Sequence, residues 1–294
     1  MEQRKLGNLS QIVFAKDIII DNKNCVLVQN GALEVLFNKD NALDIVWVKF
    51  KGVNISFLSK NGLNDGNGEF TSTFEGGFLY TCGMDNVSTC KKDKPIHGSL
   101  HYQRCKGVCA FVKDGSVFVC GEVYQTALFG TNLVLERKYE ITKDSLLIND
   151  TVVNRDFKDA EYSFLYHINY GYPFLDEGLK IEMDIQSSEP VTPASAQNTD
   201  NMLKITAPND NGIEHIFYHT LKQGRVRMQN DKVGVGIEVL YDTSDFPYLV
   251  EWKSMVSGDY ALGMEPSLTR FDNFSTYTLA PEQSKNLKIK INFN

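Results

Sequence analysis

Leu133-Val134-Leu135-Glu136-Arg137-Lys138-Tyr139-Glu140-Ile141 and Ser145-Leu146-Leu147-Ile148-Asn149-Asp150-Thr151-Val152-Val153 stand three residues apart and set the fold class. Both are rich in β-prone residues and a polar turn separates them, so they predict consecutive antiparallel strands. Similar runs lie upstream: Ile12-Val13-Phe14, Ile18-Ile19-Ile20, Cys25-Val26-Leu27-Val28 and Leu33-Glu34-Val35-Leu36-Phe37. In Leu43-Asp44-Ile45-Val46-Trp47-Val48-Lys49-Phe50 the odd and even positions can serve different faces of a sheet. Asn30-Gly31, Asn61-Gly62, Asp114-Gly115 and Asn211-Gly212 punctuate the runs. Asn and Gly tolerate the positive φ of two-residue hairpin turns. Asp114-Gly115, followed closely by Val117-Phe118-Val119-Cys120, predicts a hairpin.

Patterns of long amphipathic helices are missing. Ile213-Glu214-His215-Ile216-Phe217-Tyr218-His219 fits either a short helix or a strand. Ser187 to Gly212, with Pro190, Pro193 and Pro208, reads as a long surface excursion. It is unattractive as a domain boundary, because the candidate catalytic residues flank it. The expectation is an all-β protein, one antiparallel sandwich domain over residues 1–294.

Composition narrows the function. An apolar fraction of 42% supports a substantial core, with 18 Phe and 13 Tyr. A formal charge of -7 argues against nucleic acid and anionic membranes, which both require a basic footprint. The first residues lack the apolar stretch of a secretory signal, and no apolar run is long enough to span a bilayer, so a soluble, cytoplasmic protein is expected. Cys25, Cys82, Cys90, Cys105, Cys109 and Cys120 are then expected as free thiols. Their spacing holds no Cys-x-x-Cys pair, so no metal site is expected.

Two residues stand out chemically. His167 opens His167-Ile168-Asn169-Tyr170-Gly171-Tyr172-Pro173-Phe174-Leu175, and Glu265 lies in Gly263-Met264-Glu265-Pro266. Imidazole gives and takes protons near neutrality, and a desolvated glutamate is tuned toward the same range. Such a pair, one group on each side of a sugar, would open and close its ring without metal or cofactor. Tyr170, Phe174 and Trp252 would offer apolar faces to the sugar's C–H side, with Asp85, Asn86 and Lys253 addressing hydroxyls.

Four segments occur in order: Gly76-Gly77-Phe78-Leu79-Tyr80-Thr81-Cys82-Gly83-Met84-Asp85-Asn86, Ile96-His97-Gly98, the His167 run, and Trp252-Lys253 through Gly263-Met264-Glu265-Pro266. Together they resemble the signature of a bacterial branch of the aldose 1-epimerase (galactose mutarotase-like) superfamily, over most of the chain from Leu43 onward. The resemblance implies a β-supersandwich that interconverts the α and β anomers of a monosaccharide. It implies that His167 protonates the ring oxygen, that Glu265 takes the proton of the anomeric hydroxyl, and that His97 contacts the reacting end. Asn169 falls within the His167 motif, and Glu214 is a loose match to an acidic residue that binds hydroxyls.

The chain departs from this pattern twice. Ser99 stands where an arginine commonly follows His97-Gly98, and Asn41-Ala42 precede Leu43-Asp44-Ile45 where Arg-Gly is usual. A carbohydrate-binding or sensing protein with a degenerate site is therefore the alternative. Action on a sugar phosphate would need clustered cations, for which Lys253 and Arg104 are the nominees. His101, His215 and His219 read as structural or surface residues, Trp47 and Trp252 as either core or sugar platform. Monomer and homodimer both remain open.

Overall fold

A computed structural model describes residues 12–87, 94–271 and 275–294. Among these, the alternating runs become eighteen strands in two sheets. The first sheet is a meander of β1 (Val13–Ile20), β2 (Lys23–Asn30), β3 (Leu33–Asn38), β4 (Asp44–Phe50) and β5 (Val53–Asn54), paired in sequence order. The second comprises β6 (Leu79–Met84), β7 (Cys105–Lys113), β8 (Ser116–Thr126), β9 (Asn132–Ile141), β10 (Ser145–Asn154), β11 (Ala160–Tyr170) and β12 (Lys180–Pro190). It continues with β13 (Glu214–Asn230), β14 (Val235–Tyr241), β15 (Tyr248–Val256), β16 (Asp259–Ser267), β17 (Tyr277–Leu279) and β18 (Ser284–Phe293). Its order is β17-β11-β16-β15-β13-β14-β18-β10-β9-β8-β7, with β6 on β11 and β12 on β13.

The predicted hairpins form. β9 pairs antiparallel with β10, and Asp114-Gly115 turns β7 into β8 with both residues at positive φ. The undecided run around Phe217 is strand, because β13 finds partners on both edges in β12 and β15. The excursion is shorter than expected: pairing of Ser187 with Thr220 and Pro190 with Phe217 keeps the chain in the sheet to Pro190. Nor is all of it at the surface, since Ser195 is buried and its hydroxyl accepts the Ile216 N–H at 2.8 Å.

One face of the large sheet packs with the meander. Phe164, Tyr166, Leu262 and Met264 join Val28, Val35 and Phe50 in a continuous core. Residues of opposite parity, among them Leu165, Val250 and Ala261, belong to a smaller cluster with Phe57, Phe74 and Tyr80 on the other face. Each buried apolar side chain contributes about 1.5–3 kcal/mol. The large cluster therefore dominates stability and leaves the second face free to hold polar groups.

The cysteine expectation is corrected at one pair. Cys109 and Cys120 are opposite one another across β7 and β8, with Cα atoms 5.4 Å apart, and are joined as a disulfide. Direct cross-strand pairing brings the two sulfurs together, which spacing along the chain does not reveal. Cys25, Cys82 and Cys105 are free and buried, and Cys90 lies outside the described residues. Among those residues, no helix is long and apolar enough to cross a membrane.

Candidate active site

His167 sits in β11, whose partner β16 is registered with Leu165 opposite Ser267 and Asn169 opposite Gly263. Counting inward along both strands sets His167 opposite Glu265, on the face turned away from the main core. His167 Nδ1 and Glu265 Oε1 are 3.3 Å apart. The residues are only 5% and 2% exposed, and neither atom has a hydrogen-bond partner among the described residues. The approach is thus close but not aligned as a hydrogen bond. Gly263 makes room for it: a Cβ there would meet Glu265 Oε1 at 2.3 Å.

The pair faces a cavity of about 270 Å³. Phe70, Phe74, Ile216, Val250, Trp252 and Phe271 supply much of its apolar wall, and His97 and Glu214 join the pair as polar lining. Phe70 and Phe74 come from the short helix α1 (Phe70–Thr73) and its C-terminal cap. The Trp252 ring stands edge-on to His167 at 5.5 Å between centroids, and Phe74 lies 5.3 Å from the same imidazole.

These surroundings disfavour charge. Burial pushes the Glu265 carboxyl well above the ordinary carboxylate range. Burial and then the neighbouring His97 hold His167 well below the ordinary histidine value, while Asn169 opposes them. Burial also lowers His97 to about 4, against the pull of the Val87 carbonyl. Both shifts favour a protonated carboxyl beside a neutral imidazole.

His97 reaches the cavity from a loop in which it adopts φ 63°. Its Nδ1 lies 3.3 Å from the Val87 carbonyl, which leaves Nε2 as the ring's other nitrogen. Gly98 is needed next, since a Cβ would come within 2.3 Å of the Asn86 carbonyl. Asp85 and Asn86 serve this loop instead of lining the cavity. Asp85 accepts from the Ser99 N–H at 3.0 Å and its hydroxyl at 3.1 Å, and Asn86 donates to the Pro95 carbonyl at 2.9 Å.

Other sequence candidates are placed by strand parity. Trp252 lines the cavity and donates its indole N–H to Glu214 at 3.0 Å, so Glu214 stands at the same wall. Lys253 points to the reverse face, where its ammonium bonds the carbonyls of Asn201 (3.0 Å), Met202 and Lys204 (3.2 Å) and pairs with Glu251 at 3.4 Å. It cannot address a sugar beside His167. Asn169 lies under His167 and donates to the carbonyls of Gly77 and His167. Tyr170 and Phe174, expected as sugar faces, are buried in the main core. Arg104 is paired with Asp40 at 3.3 Å, outside the cavity. Trp47 packs away from the site and donates to Glu34.

His101, expected at the surface or in a supporting contact, is buried. Its Nδ1 lies 2.7 Å from Asp44 and its Nε2 3.3 Å from Glu75. His219 is buried between Ser188 and Glu251, and His215 contacts Asn198. Among the described residues, no group of three or more His, Cys, Asp or Glu is placed to hold a metal ion. The sequence reading missed Phe70, Phe74, Ile216, Val250 and Phe271. Phe74, just ahead of Gly76-Gly77, and Val250, just ahead of Trp252-Lys253, stood close to motifs, and Ile216 lay in the run that also holds Glu214.

This architecture is the galactose mutarotase-like fold. It matches a candidate aldose 1-epimerase from Klebsiella pneumoniae with a TM-score of 0.85 at 15% identity, over 95% of this chain and 83% of that one. It matches a galactose mutarotase-like protein from Clostridium acetobutylicum with a TM-score of 0.75 at 17% identity, over 96% and 98%. A candidate mutarotase from Salmonella typhimurium matches with 0.70 at 12%, over 96% of each chain. No curated protein matches the sequence. The chain belongs to the family described as a domain of unknown function, DUF4432, whose model matches residues 22–291.

Proposed function

We propose that the protein is an aldose mutarotase, exchanging the α and β anomers of a sugar through proton transfers at His167 and Glu265. One observation supports this above all: an imidazole Nδ1 and a carboxyl Oε1, both buried and without a hydrogen-bond partner among the described residues, meet at the wall of one small apolar cavity. Buried polar atoms are nearly always hydrogen-bonded, so two exceptions facing one cavity call for a ligand. The volume lies just below the roughly 300–1,000 Å³ of drug-sized sites and suits one sugar ring.

Ring opening breaks the C1–O5 bond as one proton reaches O5 and another leaves the 1-hydroxyl. A protonated carboxyl with neutral imidazole carries as many protons as a carboxylate with imidazolium. Hydroxyls of a bound sugar solvate the charged form, from which His167 donates to O5 and Glu265 accepts from the 1-hydroxyl. That step leaves a neutral pair beside the open aldehyde. The apolar walls favour that neutral pair and so lower the cost of the open intermediate. Rotation about C1–C2 and the reverse transfers close the other anomer.

Exchange NMR or polarimetry on glucose and galactose tests the reading. His167→Ala and Glu265→Gln should each lower the catalysed rate by about 10²–10⁴-fold; unchanged rates would refute it. The shared proton also sets the pH profile. kcat/KM should stay flat across about pH 4.3–6.5, where free Glu and His titrate. It should fall at lower pH as His167 gains a second proton, and at higher pH as Glu265 loses its own. Sugar binding by calorimetry without any acceleration would instead mark a carbohydrate-binding protein.

A further inference from the structure

The cavity holding His167 and Glu265 adjoins a larger one, of about 570 Å³ against about 270 Å³. Phe70, Thr71 and Ile96 wall both. These three are half-buried or exposed, whereas the acid–base pair is buried at the floor. Both oxygens that exchange protons in anomer interconversion are attached to C1. A ring seated on the pair therefore turns its C1 edge to the floor and its far carbons toward the shared rim.

The outer cavity has the chemistry of a sugar subsite. Tyr102 presents an aromatic ring, fixed by its hydroxyl's 2.9 Å bond to the Thr73 carbonyl. Gly66 lies directly against that ring, where a Cβ would come within 2.6 Å. Glu69, Ser99 and Gln103 add hydrogen-bonding side chains. Glu69 is the one charged group among its described lining residues, and a carboxylate accepts from hydroxyls while repelling phosphate or another carboxylate.

We propose that this outer cavity binds a second, uncharged sugar ring, so that the substrate is a reducing disaccharide or longer glycan. Its reducing-end ring occupies the inner cavity and the next ring the outer one. The proposal rests on the mutarotase reading and assigns its substrate class. Binding energy from the remote ring then serves the positioning of the reacting one.

The test compares kcat/KM for anomer exchange, and calorimetric affinity, for glucose and galactose against maltose, lactose and melibiose. At least one disaccharide should exceed its own reducing-end monosaccharide by about tenfold, the worth of one or two added hydrogen bonds. Tyr102→Leu, Glu69→Ala at an exposed residue and Gln103→Ala at a half-buried one should erase that advantage while monosaccharide turnover stays as in the parent. The exposed Glu69→Ala change keeps the test open should Tyr102→Leu fail to fold. Disaccharides no better than monosaccharides, or variants that lower both alike, would overturn the proposal. Failure of the mutarotase reading looks different: no sugar is accelerated, and disaccharide affinity alone reports on the outer cavity.

Discussion

Two buried histidines flank Tyr80, and their surroundings are opposites. His101 stacks on the Tyr80 ring at 3.8 Å, and His167 stands edge-on to it at 6.4 Å. Each has an acidic side chain beside it, Asp44 and Glu75 at His101 and Glu265 at His167. The two carboxyl groups that touch His101, those of Asp44 and Glu75, are each hydrogen-bonded by further groups. Asp44 takes the Thr81 N–H at 2.7 Å and Arg137 at 2.5 Å, while Arg137 also grips Asp150 at 2.7 Å and the Ala42 carbonyl at 2.9 Å. Burial opposes charge on His101, but hydrogen bonds and attraction from Asp44 and Glu75 outweigh it and raise its proton affinity. Burial likewise opposes charge on Asp44, and Arg137 and then His101 outweigh it, lowering that carboxyl. His167 and Glu265 have burial without such partners, and each shifts toward its neutral form. Hydrogen-bond satisfaction, more than burial or the nearness of a carboxyl group, separates the His101 cluster from the candidate pair.

The contrast can be broken at several points. Arg137→Ala leaves Asp44 and Asp150 buried without their shared guanidinium, and should cost about 3–5 kcal/mol in denaturant unfolding. A cost below 1 kcal/mol would deny the cluster its structural role. Gly263→Ala acts on the other side. Its methyl displaces the Glu265 carboxyl, so anomer exchange should fall up to about 100-fold with little loss of stability. An unaffected rate would mean that the position of the carboxyl is unimportant.

Linkage gives the two regions distinct pH signatures. His101 is raised, so the stability it contributes is fully present below about pH 6.5 and is lost as pH rises through its folded-state value. His101→Gln should cost about 1.5–3 kcal/mol at acid pH, with the gap to the parent narrowing as pH rises. Glu265 is raised too, but by burial alone: the folded chain keeps a proton that the unfolded chain sheds above about pH 4.3. Its ionisation therefore weakens the fold as pH rises. Glu265→Gln should stabilise by about 0.5–2 kcal/mol near neutrality while lowering exchange by about 10²–10⁴-fold. A gap for His101→Gln that widens with pH, or a destabilised Glu265→Gln, would reverse the comparison.

Much of the fold was legible along the chain, because strand alternation and Asn-Gly or Asp-Gly turns are local properties. The β7–β8 hairpin and the β9–β10 pair follow from them directly. His167 and Glu265 were singled out as candidates by four motifs that occur in order and resemble one superfamily. Which side a strand residue faces was not legible. Lys253 adjoins Trp252 and Tyr170 lies three residues past His167, yet each points to the opposite face from its neighbour in the cavity.

Periodicity, turn chemistry and composition are carried by neighbours along the chain and account for an all-β architecture, while the ordered motifs and the family resemblance they carry singled out a histidine and a glutamate. Register between β11 and β16, the parity of each strand in the sheet, the Cys109–Cys120 bridge and the walls contributed by α1 arise from contacts between distant segments. A shift of one residue in pairing would send His167 to the opposite face, so the meeting of imidazole and carboxyl is a product of tertiary packing.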